Sequence, residues 1–146
     1  MNVIFRLMNG PTDWPWIIER IPVKRVEDTC GMVAVDEDTG EIKGAVVFDN
    51  FTHNSAQVSI ATATPMVMRY GFLEEACDML FEHFGKDYMY SFVRDDNDKA
   101  LKLNKHLGFK EKTRMKDAYR PGVDYIIMEL HKDNCVVYNQ YLSKVA

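Results

Sequence analysis

The segment Tyr88–Phe109, YMYSFVRDDNDKALKLNKHLGF, decides the fold. Its apolar and aromatic run Met89–Val93 reads as a short buried strand. Arg94-Asp95-Asp96-Asn97 follows, where an Asp or Asn side chain can accept a bond from an unpaired N–H and open a helix. From Asp98 to Leu107 the pattern sets Ala100, Leu101, Leu103 and Leu107 on one face, with Lys99, Lys102 and Lys105 on the other. Gly108 stands where a helix end favours a left-handed residue, and Phe109 can fold back onto the last turn. Strand, cap, amphipathic helix, stop and return strand thus follow one another without a gap.

Outward from this segment the signals are regular. Asn2–Met8 alternates as a first strand, broken at Asn9-Gly10-Pro11. Thr12 or Asp13 is expected to cap a helix reaching Glu19 or Ile21, with Pro15 tolerated in its first turn and Pro22 ending it. Trp14 and Trp16 on that helix either pack on a sheet or wall an acceptor pocket. After a charged connector, Val23–Thr29, the runs Met32–Val35 and Ala45–Phe48 flank an acidic turn with Gly40 and predict a hairpin. Asp49–Ser55 is a polar loop and Ala56–Ala63 the next strand. A long amphipathic helix should then run to Phe84, with Leu73, Cys77, Leu80 and Phe84 as one stripe beside Phe72, Ala76 and Met79, and Gly85 as its stop. Past Phe109, Glu111–Asp117 reads as an edge strand, Ala118–Gly122 as a turn and Val123–Leu130 as a strand.

At 146 residues with 47% hydrophobic content, one domain with one sizeable core is expected. The net charge of −4 gives no electrostatic footprint for nucleic acid or an anionic membrane. No apolar run approaches the roughly 18 residues of a membrane span, and MNVIFRLMNG lacks the form of a secretory signal. Cys30, Cys77 and Cys135 are dispersed, which fits reduced thiols and a cytoplasmic location, and the scattered histidines argue against a zinc site, so no metal is expected.

The residues Asn97, Lys99, Ala100, Leu103, Asn104, Leu107, Gly108 and Phe109 resemble the C-terminal half of the GCN5-related N-acetyltransferases. The element order β-α-β-β-β-α-β-α-β-β is similar to that family's over residues 2–131. The resemblance implies an α/β (α+β) fold with a mixed, mostly antiparallel central sheet flanked by helices. It places an acyl-CoA-binding domain at 1–131, with 132–146 as a C-terminal extension whose VVYNQYL could add a strand, a helix or a homodimer contact.

In that family the strand matching Ala56–Ala63 splays from the one matching Met89–Val93. The pantetheine arm enters the gap, and a Gln/Arg-x-x-Gly-x-Gly/Ala loop receives the pyrophosphate on helix N–H groups. The matching loop here is Met68-Arg69-Tyr70-Gly71-Phe72-Leu73, which keeps the central Gly71 but departs at Met68 and Leu73. The resemblance therefore implies that the backbone at Thr62 and Ala63, with Arg69, Tyr70, Gly71 and Phe72, holds acetyl-CoA, and that Asn97 and Asn104 flank its pantetheine and thiol. Many members carry a Tyr acid where Asn104 stands. Asn can donate a hydrogen bond to the sulfur but cannot serve as an acid, and an Asn there resembles the branch that acetylates protein N-termini.

Asp49, His53 and Glu129 are bases by type, and nothing in their spacing selects one. Ser59, Thr62 and Thr64 could orient a water, and Tyr119 could line an acceptor pocket from the last hairpin. Cys77 falls in an apolar stripe and reads as core. The expected activity is transfer of acetyl from acetyl-CoA to an amine (a protein N-terminus, a lysine or a small molecule) in a ternary complex. Two rivals remain: a protein of this fold that binds a partner without catalysis, and a small-molecule-binding domain unrelated to CoA.

Overall fold

The structure, a computed structural model, describes residues 1–145; Ala146, the end of the 132–146 tail, lies outside them. Seven strands form one sheet in the order β1-β2-β3-β4-β5-β7-β6. They are β1 (Val3–Leu7), β2 (Cys30–Asp36), β3 (Ile42–Asp49), β4 (Ser55–Thr62), β5 (Tyr88–Arg94), β6 (Lys110–Arg120) and β7 (Val123–His131). Every neighbouring pair is antiparallel except β4 and β5. Helix α1 (Gly10–Ile18) follows β1, α2 (Phe72–Asp78) joins β4 to β5, α3 (Asp98–Leu107) joins β5 to β6, and α4 (Val136–Val145) closes the chain. The mixed, mostly antiparallel sheet flanked by helices is the architecture anticipated above.

Alternation of side chains divides the core between the two faces. Met32, Ala34, Val46, Phe48, Val58, Met89, Val93, Ile126, Met128 and Leu130 point towards α2, α3 and α4. Val33, Val35, Ala45 and Val47 point the other way and are covered by Ile17 and Ile21 after β1, with Trp14 and Trp16 packed alongside. Packing is thus the role the structure gives both tryptophans, and the Arg20 guanidinium lies 3.9 Å over the Trp16 ring. Among the described residues no helix is long and apolar enough to cross a membrane.

Three expectations change, and one open choice, at the tail, is made. Helix α1 begins at Gly10 rather than Thr12 or Asp13, so Pro15 falls past the first turn. The start is fixed by Asp13, whose Oδ2 accepts the Asn9 N–H at 2.7 Å while both its oxygens accept from Arg6 at 2.7 and 2.8 Å. The long helix after β4 is three pieces: a 3-10 turn Pro65–Tyr70, then α2, then a π turn Met79–His83. The π turn adds a residue to one turn, which carries Phe84 out of the stripe to 41% exposure and leaves Phe81 in the core. Strand β6 continues to Arg120 because Asp117, at φ 57°, is held inside a register break by its N–H bond to Asp124. The tail folds as helix α4, and Tyr138 donates to Glu82 at 2.8 Å.

Asp13 is fully buried, and burial works to raise its carboxyl pKa; the Arg6 bonds, the Asn9 N–H and the Arg6 charge together outweigh that and hold it below the usual range. A depressed carboxylate contributes stability above its unfolded pKa of about 3.9 and loses it as pH falls through the folded value. Arg6→Ala should therefore cost about 2 kcal/mol in urea unfolding at pH 7, with the loss shrinking as pH falls through the carboxylate range. A loss independent of pH would contradict this assignment.

Candidate functional site

Strand β4 runs beside β5 only from Ser55–Tyr88 through Ala56–Met89 to Gln57–Tyr90. It then parts from β5, while β3 stays paired to β4 as far as Thr62 and β7 to β5 as far as Arg94. The Ala63 N–H donates to the Lys43 carbonyl at 2.8 Å. Antiparallel ladders alternate their bonding direction, so Ala61 and Ser59 also bond towards β3, and the main-chain groups of Ile60 and Thr62 face the opening. By the same alternation, with the Lys132 N–H on the Asp87 carbonyl, the groups of Phe92 face it from β5. Sequence reasoning placed both Thr62 and Ala63 at this edge. Thr62 does present its backbone there, whereas Ala63 spends its N–H on β3 and is replaced by Ile60.

The mouth of the opening leads to the 3-10 turn and to Gly71 at φ 85°, ψ 22°, a left-handed conformation that disfavours any side chain. No side chain caps α2 there. The first-turn N–H groups behind Gly71 are a natural receiver for an anion. Arg69 and Tyr70 are exposed beside them, and among the described residues Arg69 has no ion pair. Two acids stand against this: Glu74 and Glu75 fill the first turn, and Glu74 Oε2 is buried without a hydrogen-bond partner among the described residues. Phe72 corrects the expectation for its side chain. It is fully buried, its ring tilted against that of Phe5 with centroids 5.3 Å apart, and has only its backbone to offer a ligand.

Asn97 caps α3, accepting the Ala100 N–H at 3.1 Å. Asn104 is buried two turns on: its amide nitrogen donates to the Ala100 carbonyl at 2.7 Å, and its oxygen accepts from the Ser91 hydroxyl at 2.8 Å. Ala100 can only accept, so the amide orientation is fixed, with one N–H remaining. Asn104 thus ties α3 to β5 at the edge of the opening. Gly108 ends α3 at φ 109°, where an added Cβ would lie 2.2 Å from the Asn134 carbonyl oxygen; this close approach explains the Leu-Gly-Phe stop. Beneath the strands lies an apolar void of about 10 Å³, lined by Val58, Ile60, Leu73, Cys77 and Leu107 among others. Cys77 is buried as expected, its Sγ 3.7 Å from that of Cys135.

Several residues singled out by type separate here. His53 is exposed in its loop, and Tyr119 is half exposed between the Arg94 and Arg120 guanidinium groups. Glu129 lies 3.8 Å from Lys112 Nζ. Asp49 is buried, and burial followed by the charge of Asp28 pushes its carboxyl pKa up. Tyr90 is likewise raised, by burial and then by Asp49. Sequence reasoning missed Ser91 and Ile60, and had no means of ranking Asp49 above His53.

No protein-family model matches the sequence, and comparison with curated proteins gives no match. Solved structures do match. Mutant forms of the spermidine/spermine N-acetyltransferase SpeG from Vibrio cholerae superpose with a TM-score of 0.69 at 18% identity, covering 99% of this chain and 100% of that one. The chain has the GCN5-related N-acetyltransferase fold. A ribosomal-protein-S5-alanine acetyltransferase from Vibrio fischeri gives 0.68 at 16% identity, covering 92% and 96%. The parting of β4 from β5 beyond Gln57 and Tyr90 is the splay the sequence resemblance led one to expect between these two strands.

Removal of the Ser91 hydroxyl isolates the Asn104 oxygen in a dry environment. Ser91→Ala should destabilise the fold by about 1–3 kcal/mol in denaturant unfolding, and an unchanged midpoint would show that the Ser91–Asn104 bond does not hold α3 to β5.

Proposed function

We propose that the protein is an acyl-CoA-dependent N-acyltransferase, moving acetyl from acetyl-CoA to an amine by direct transfer in a ternary complex. The observation that carries this reading is the opening between β4 and β5. Two strands of a sheet expose main-chain donors and acceptors to each other without bonding, which is costly unless something takes those bonds. The pantetheine arm, an extended chain with two amides, fits that need. Its amides would bond to Ile60 and Thr62, and its pyrophosphate would lie at Gly71 and the uncapped start of α2, with Arg69 and Tyr70 at the rim. Asn97 and the remaining N–H of Asn104 would flank the thiol end. The matched structures are named for acetylating spermidine, spermine and a protein alanine, all amines.

A second reading has its own observation. The acids Glu74 and Glu75 oppose a phosphate at α2, as in a protein of this fold that binds a partner without catalysis. One experiment separates the two. Acetyl-CoA at about a hundredfold its dissociation constant should add roughly 2.7 kcal/mol, a rise of several degrees in Tm, while ATP should not. Gly71→Glu, which sets an anion and a strained side chain at the cradle, should abolish the ligand-dependent rise. No rise with acetyl-CoA favours the non-catalytic reading, and an undiminished rise in the variant removes Gly71 from the site.

A further inference from the structure

Asp49 ends β3 with its Oδ1 buried and without a hydrogen-bond partner among the described residues, in a residue only 8% exposed. The charge acting on it is another acid, Asp28, on the segment ahead of β2. A carboxylate so placed is short of one positive charge. The sheet register shows where that charge would sit. Asp49 pairs with Gln57 on β4, and Gln57 with Tyr90 on β5, so the three lie in a line on one face, neighbours about 5 Å apart. This line is the last rung before β4 and β5 part. The Gln57 oxygen is already taken by the Asn50 amide at 2.7 Å. On the far side of Tyr90 the line reaches Glu129, which has Lys112 as its partner. Asp49 is therefore the uncompensated acid at the foot of the opening.

The face it occupies is also the accessible one. Opposite it, α2 and α3 fill the space with core side chains. On its own side α1 covers β2 to β4, whereas Tyr90, Phe92 and Tyr125 are half-buried against one another, with ring centroids 6.0 and 5.2 Å apart. An aromatic floor leading to a buried carboxylate suits a cation carried on an apolar chain.

We infer that Asp49 receives the ammonium group of the acceptor, a primary alkylamine entering over the Tyr90–Phe92–Tyr125 face, and takes its proton. The inference rests on the acyl-transfer reading above. In the step, one proton passes from R–NH3+ to the Asp49 carboxylate, and the freed nitrogen lone pair forms the C–N bond at the thioester carbonyl. The C–S bond breaks, and the second proton of the nitrogen goes to the departing thiolate; Asp49 then loses its proton to water. Burial supports the role, since a carboxylate destabilised by desolvation is a stronger base.

The test compares the wild type with Asp49→Asn, which keeps the shape and removes the charge. Titration with butylammonium chloride, followed by NMR of the Tyr90 ring, should shift the wild type, with butanol inert, and the variant should bind about tenfold more weakly or worse. In transfer assays the variant should lose about a hundredfold or more in kcat/KM for butylamine. It should lose far less for aniline, whose nitrogen is already neutral at pH 7. The acetyl-CoA-dependent rise in Tm should be the same in both proteins. Equal binding of butylammonium by wild type and variant overturns the inference, as does an equal loss for the two amines. A missing acetyl-CoA response in the wild type instead overturns the acyl-transfer reading, and is recognised separately from both.

Discussion

Beyond Gln57 and Tyr90 the main chains of β4 and β5 diverge, and N–H and C=O groups that a sheet normally satisfies are left facing each other. The fold tolerates this because each strand is secured on its other edge. Strand β4 is paired to β3 from Gln57 to Thr62 and β5 to β7 along its whole length, so the sheet is two halves joined by a short parallel contact. The crossover through α2 links the two halves, and the Asn104 tie fixes α3 on β5 at the border of the opening. The opening is thus a product of the topology, and the rest of the site is arranged around it.

The two faces of the sheet then divide the work. On the helical face the opening runs to Gly71 and the start of α2, where main-chain N–H groups and the helix dipole meet; in the proposed reaction this side takes the phosphate-bearing donor. On the other face it runs to an aromatic floor and the buried Asp49, which the proposed reaction assigns to the ammonium of the acceptor. An acyl donor that is anionic at one end and an acceptor that is cationic need such opposite environments on either side of one carbonyl carbon. The acids Glu74 and Glu75 leave the donor side less electropositive than Gly71 alone would make it.

Much of this was legible in the sequence wherever the signal is local. The Asn97 cap, the apolar face of α3, the Gly108 stop and the β2–β3 hairpin each follow from a few adjacent residues, and the structure has all of them. What was not legible depends on register or on a change of helical period. The π turn that exchanges Phe84 for Phe81 leaves no mark in a stripe counted at 3.6 residues per turn. Whether Ala63 or Ile60 faces the opening is set by which β4 residues bond to β3, a one-residue matter that no composition reveals. Asp49 shares the parity of Val47 along β3, a hint of burial, but only the pairing with Gln57 and Tyr90 brings it to the opening.

The claim on which the account stands is that the groups of Ile60 and Thr62 bond the pantetheine arm. Amide hydrogen exchange resolved at those two residues, with and without acetyl-CoA, tests it directly. The account predicts that acetyl-CoA slows exchange at Ile60 and Thr62 while the exposed β6–β7 tip around Pro121 exchanges as before. Unchanged exchange at both residues with the ligand bound would mean that acetyl-CoA lies elsewhere, and that the parting of β4 from β5 has another purpose.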